Sequence, residues 1–158
     1  MSAIQSDKTQ ITKAEILNHC RQQIIERIEV AETAIQSARD GMLNDTKSSA
    51  GDKHETSRAM SQIAIEQNQN QLQKLLDLRN EIDQINIQTK SPITGKGSLI
   101  QTNQGIYFLG PGIGKIQIQG IELFAISLQS PLGNCLHLKK EGDSFQFQNR
   151  SFNITKID

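Results

Sequence analysis

Asp52 and Glu55 stand three residues apart in the polar stretch SSAGDKHETSRAM, residues 48–60, between two segments whose apolar residues recur at helical spacing. Acids at i and i+3 of a helix share a face, so both carboxylates can point at one ion. The same spacing is that of a capping box, with Asp at the N-cap and Glu at N3, where the helix dipole also favours negative charge. Both readings stay open, since a cap that orients an acid does not exclude an ion. Asp45 in the turn and His54 beside the acidic pair are further contributors at this place. Asp45 is the weaker of these candidates, with a solvated turn residue as its plainer reading.

Two long helices must position these residues. Between 12 and 44 there is no Pro, and no Gly before Gly41, while Ile24, Ile28, Ala31, Ile35, Ala38 and Met42 step by four and three. That is the a/d seam of a coiled coil. Leu17 and Cys20 extend it upstream. A second segment, 52–87, places Ile65, Leu72, Leu75, Ile82 and Ile85 along another seam, interrupted by the polar EQNQNQ at 66–71. Neither segment is apolar enough elsewhere for the inside of a globule, so they are expected to pack on each other as an antiparallel hairpin. NDTKSSAG at 44–51 supplies turn-favouring residues, which puts the acidic pair at the hairpin tip, near 44–56.

After residue 87 the composition changes. QTKSPITGKGS, 88–98, reads as a linker, and beyond it come short β runs at 99–102, 105–109, 115–119, 121–126, 144–148 and 151–157. Ser130 as N-cap with Pro131 at the first helical position predicts one short helix. The expected fold class is α+β, with a coiled-coil hairpin domain at 1–87, a linker at 88–98 and a small, mostly antiparallel β domain at 99–158.

Composition narrows the function. Residues 1–87 carry 10 basic against 13 acidic side chains and residues 88–158 carry 7 against 4, so the halves bear about −3 and +3 within a neutral chain. A general nucleic-acid binder would usually be basic overall, so free nucleic acid is not expected as the main ligand. Cys20 and Cys135 have no CxxC or His-Cys ligand spacing around them and read as structural thiols in a reducing compartment. With no signal-like or membrane-spanning run, a cytoplasmic protein with no membrane partner is expected. GPGIGK, 110–115, is not a phosphate loop: Leu109 stands where its first Gly belongs and Ile116 follows the Lys. His19, His54 and His137 show no i, i+4 pair of a helical zinc site. An enzyme with its own active site or a small-molecule substrate is hard to build from these residues.

The parts together resemble the bacterial Gre transcript-cleavage factors, GreA and GreB, which bind RNA polymerase. Gly51, Asp52, Lys53, His54 and Glu55 reproduce the G-D-x-x-E part of the family's tip motif G-D-L-x-E-N-A-E-Y, and ISLQSPLGNCLHLKKEGDSFQF at 126–147 looks like its strand, Ser-Pro, short helix, Gly-Asp, strand pattern. After the second acid this chain has Thr56, Ser57, Arg58 and Ala59 instead. The resemblance implies an FKBP-like β domain and a transcription elongation factor that is not itself an enzyme. Its coiled coil would enter the secondary channel of RNA polymerase, and its β domain would dock at the channel rim. Lys139 and Lys140, the clearest basic pair, are the docking candidates, and a solvated turn is their plain alternative. Asp52 and Glu55 would help hold a Mg²⁺ shared with the polymerase beside the nascent RNA 3′ end, with no cofactor on the free protein. Mg²⁺ takes octahedral oxygen ligands and is commonly held by one or two carboxylates, waters and phosphates, so an Asp-x-x-Glu alone is half a site. Two other readings fit the same architecture: a polymerase-binding inhibitor without cleavage activity, and a coiled-coil adaptor or structural protein.

Overall fold

The computed structural model describes residues 11–45, 51–88 and 90–158, and gives residues 45 and 51–54 as helical backbone only. Helix α1 runs Lys13–Asp45 and α2 runs Gly51–Gln84. They are followed by strands β1 Leu99–Thr102, β2 Gly105–Leu109, β3 Gly114–Ile118 and β4 Ile121–Ile126, helix α3 Pro131–Leu136, and strands β5 Ser144–Phe147 and β6 Arg150–Ile157. The protein is α+β, with two long helices leading into a six-stranded sheet that is antiparallel except where β2 pairs with β4. Contacts group the chain into two compact units: Gln22–Asn80, and Met1–Arg21 together with Glu81–Asp158. The boundaries fall inside the long helices, whereas composition marks its change at 88–98.

Helix α1 starts on a capping box. The Thr12 N–H donates to Glu15 Oε2 and the Glu15 N–H to Thr12 Oγ1, each at 3.1 Å, satisfying two donors that the first turn leaves free. Within the unit 22–80, the four-three stripe buries Ile24, Ile28, Ala31 and Ile35 on α1 and Ile65 and Leu75 on α2. Ala38, Met42 and Leu72 are half-buried. One groove is lined by residues 23–31 of α1 and 68–75 of α2, and another by 39–43 of α1 and Arg58 of α2, so the two helices run antiparallel. The polar stretch places Asn68 on the seam, half-buried, with its Nδ2 donating to the Ala64 carbonyl at 2.8 Å. Helix α2 ends at Gln84, earlier than the expected 87. There the Ile85 N–H turns to the Ile82 carbonyl at 3.1 Å and the Gln88 N–H to Asn86 Oδ1 at 2.9 Å.

The second unit is built on the sheet, in the order β3-β4-β2-β1-β6-β5. Pairing places Tyr107 opposite Ile100 and Phe124, and Phe152 opposite Phe145, on one face. There they form an aromatic cluster, with Tyr107–Phe124 centroids 5.6 Å and Phe145–Phe152 centroids 5.0 Å apart, joined by Leu136 of α3. The opposite face carries Leu99, Phe108, Ile116, Leu123 and Ala125, all buried, and buried in the same unit are Ile16, Cys20, Ile82 and Ile85. Gly110 lets Ile85 approach the sheet: a Cβ there would lie 2.9 Å from the Phe108 ring and 3.1 Å from Ile85 Cδ1. Strand β3 ends at Ile118, one residue before the expected 119. Gln119 and Gly120, at φ 52° and 79°, form the two-residue hairpin turn to β4. Gln148 and Asn149, at 50° and 62°, do the same between β5 and β6, so β6 begins at Arg150 rather than at 151.

The segment read as a linker is tied down in its second half. Thr94 is 1% exposed. Its N–H donates to the Lys139 carbonyl at 2.9 Å, its carbonyl accepts from the Leu138 N–H at 3.0 Å, and its hydroxyl donates to the Leu136 carbonyl and accepts from the Lys139 N–H at 2.7 Å. Gly97 and Ser98 pair with Leu109, the last residue of β2.

Candidate functional site

Asp45 is the last residue of α1 and Gly51 the first of α2. With Gly51 already helical, Asp52 lies within the helix instead of flanking it, and positions 52 and 55 share one face in its first two turns. Glu55 is exposed. The side chains of Asp45, Asp52 and His54, and residues 46–50, lie outside the described residues. Among the described residues no group of three or more His, Cys, Asp or Glu side chains is arranged to hold a metal ion.

Near this end of the hairpin, Arg39, Met42, Leu43 and Arg58 line an open cleft of about 320 Å³. Leu43, Met60 and Ile63 are 65%, 67% and 53% exposed. The sequence places Met42 on the seam and gives neither Arg39 nor Arg58 a role in a site. The missed signal was that Arg39 and Arg58, far apart in sequence, come together once the helices run antiparallel.

Lys139 and Lys140 sit in the other unit, after α3. Ser130 caps that helix: its Oγ accepts from the Gly133 N–H at 3.0 Å, and Pro131 follows at the first position. Gly133 is required, because a Cβ there would collide with the Ser127 carbonyl. Lys139 is half-buried, with Nζ 6.0 Å from the centroid of the Phe145 ring. Lys140 is exposed, and its N–H donates to Asp143 Oδ2 at 2.8 Å. The two lysines therefore differ: the Lys139 ammonium sits over the Phe145 ring, and Lys140 is exposed on a turn closed by Asp143. Between them and α3, Leu138 is 68% exposed at φ 57°.

These elements define an α+β protein in which a two-helix hairpin with an acidic helix start precedes a six-stranded, mostly antiparallel sheet carrying a basic turn. No protein-family model matches the chain, and no curated protein sequence matches it. Among solved structures the chain is similar to GreA factor homolog 1 (Gfh1) of Thermus thermophilus, at 13% identity and a TM-score of 0.34, covering 87% of this chain and 94% of that one. No helix among the described residues is long and apolar enough to cross a membrane.

Proposed function

We propose that the protein is a Gre-like factor that binds RNA polymerase and acts on it through the loop end of the hairpin. The observation that carries this reading is the placement of Gly51-Asp52-x-x-Glu55 at the start of the second arm of an antiparallel helical pair, in a chain whose following sheet contains the 126–147 pattern. Residues 1–87 serve as the inserting hairpin, and residues 99–158, an FKBP-like domain, serve as the dock, with Lys139 and Lys140 on its contact surface. The protein works in the cytoplasm and leaves the bond-breaking chemistry to the polymerase.

Carboxylate oxygens suit a hard cation such as Mg²⁺, and an exposed Glu55 is free to turn toward one. A pair of carboxylates leaves most of an octahedral shell open, so the polymerase and the RNA phosphates would supply the other oxygens. The work of Asp52 and Glu55 is then to bring negative oxygen beside the RNA 3′ end and to accept hydrogen bonds from water held there.

The test is cleavage of nascent RNA in backtracked elongation complexes, with binding to polymerase measured alongside. Transcript cleavage that disappears in Asp52→Ala and Glu55→Ala while binding persists supports the reading. Absence of binding in the wild type rejects it and leaves the adaptor. A second reading has its own observation: Arg58, at the cleft, stands where the family pattern carries its last acid, which reverses a charge beside the pair. That favours a factor which binds and inhibits. Cleavage gained on Arg58→Glu would identify this substitution as the cause.

A further inference from the structure

Strand β3 is one edge of the sheet. The two-residue turn at Gln119-Gly120 makes Ile118 and Ile121 a hydrogen-bonded pair, so Ile118, Ile116 and Gly114 turn their backbone groups toward β4. The N–H and C=O of Lys115 and Gln117 therefore face away from the sheet. Neither meets a backbone partner among the described residues. The other edge, β5, is different, because α3 packs beside it.

Edge strands are usually protected by charge, proline or a bulge. β3 has no proline and no bulge against β4. Its one charge, Lys115, is paired within the chain to Glu122, with Nζ 3.0 Å from Oε2. The strand KIQI thus offers a bare row of donors and acceptors, β-branched residues alternating with exposed polar ones, and little repulsion.

We propose that β3 is a homodimerisation edge, pairing antiparallel with β3 of a second copy about a two-fold axis through Ile116. In that register Lys115 of one copy and Gln117 of the other exchange both backbone hydrogen bonds, and symmetry repeats the exchange. Lys115 then faces the Gln117 side chain, which can accept from its ammonium. Sliding by one hydrogen-bonded step in one direction sets Lys115 against Lys115, like charges directly opposed. Sliding in the other direction sets Gln117 against Gln117 and carries Lys115 past the end of the strand. The sequence of β3 is self-complementary in one register only, and for that reason a second copy fits it better than an arbitrary extended peptide. The inference stands apart from the transcription reading.

The experiment is sedimentation equilibrium of the full chain over a wide concentration range, with circular dichroism confirming the fold of each variant. Wild-type mass should rise toward that of a dimer. Gln117→Glu, which faces Lys115 of the other copy, should lower the dissociation constant, and Gln117→Lys should raise it, each by roughly fivefold as two symmetric pairs change together. High salt should shrink both shifts. Gln117→Pro removes an outward N–H without touching the β3–β4 ladder and should abolish the dimer. Should that variant unfold, amide exchange of Lys115 and Gln117 in the wild type must slow as concentration rises. A chain monomeric throughout, or a dimer indifferent to Gln117, would overturn the proposal.

Discussion

Cys20 is fully buried on α1, and that burial pushes its thiol up from 9.0 to about 11. The unfolded thiol ionises first as pH rises, so the folded state keeps a proton the unfolded state has lost. The contribution of Cys20 to stability is therefore complete below pH 9 and is lost as pH rises from 9 through about 11. Tyr107, also raised by burial, acts in the same direction. Urea midpoints should fall between pH 8 and 10.5, and less so in Cys20→Ala; equal slopes would show that the thiol is not the source. Thr94 is a second residue with a measurable role. Thr94→Val keeps the shape but deprives the Leu136 carbonyl and the Lys139 N–H of their partner, and should cost about 1–3 kcal/mol in chemical denaturation. None of this could be read from PITGKGS, because the partners of Thr94 lie more than forty residues further along the chain.

Local elements were legible where the signal is itself local. Ser130-Pro131 specifies a helix start through a hydroxyl and a fixed φ, and the short helix is found there. The four-three stripe identified both long helices for the same reason. Turns without glycine were harder: Gln148 and Asn149 both adopt positive φ, which a glutamine does not advertise, and the strand limits slipped accordingly. At the candidate site the spacing and helical position of Asp52 and Glu55 were legible, but the convergence of Arg39 with Arg58 needed the direction of both helices. Thr12 and Glu15 form a capping box that the apolar periodicity of the first helix did not single out. The hairpin seam also holds a polar residue, Asn68, which uses its own helix for a partner. Asn68→Leu should raise the melting temperature through a stabilisation of roughly 1 kcal/mol, since an apolar side chain fills the seam without orphaning a distant group. A fall in melting temperature would assign Asn68 a structural role that its hydrogen bond to Ala64 does not explain.

At the scale of the whole molecule the two units differ in how they are held. The unit 22–80 buries a single stripe, with Val30, Leu43, Met60 and Ile63 left in water. The other unit has a sheet with buried side chains on both faces. Local opening follows such differences. Amide exchange read by mass spectrometry should be fast in 55–70 and slow in β1, β2 and β4; equal protection would mean the hairpin draws support from elsewhere. The strand order has one more effect, on the timing of assembly. β1 gains β2 at once, but its other neighbour, β6, arrives only at Arg150–Ile157, where Ile100 finally meets Ile157. A nascent chain that has reached β4 therefore carries β1 with an open flank. Ribosome pausing between residues 126 and 150 would prolong that interval and give a chaperone, or a stray strand from a neighbouring polypeptide, its best opportunity to intervene.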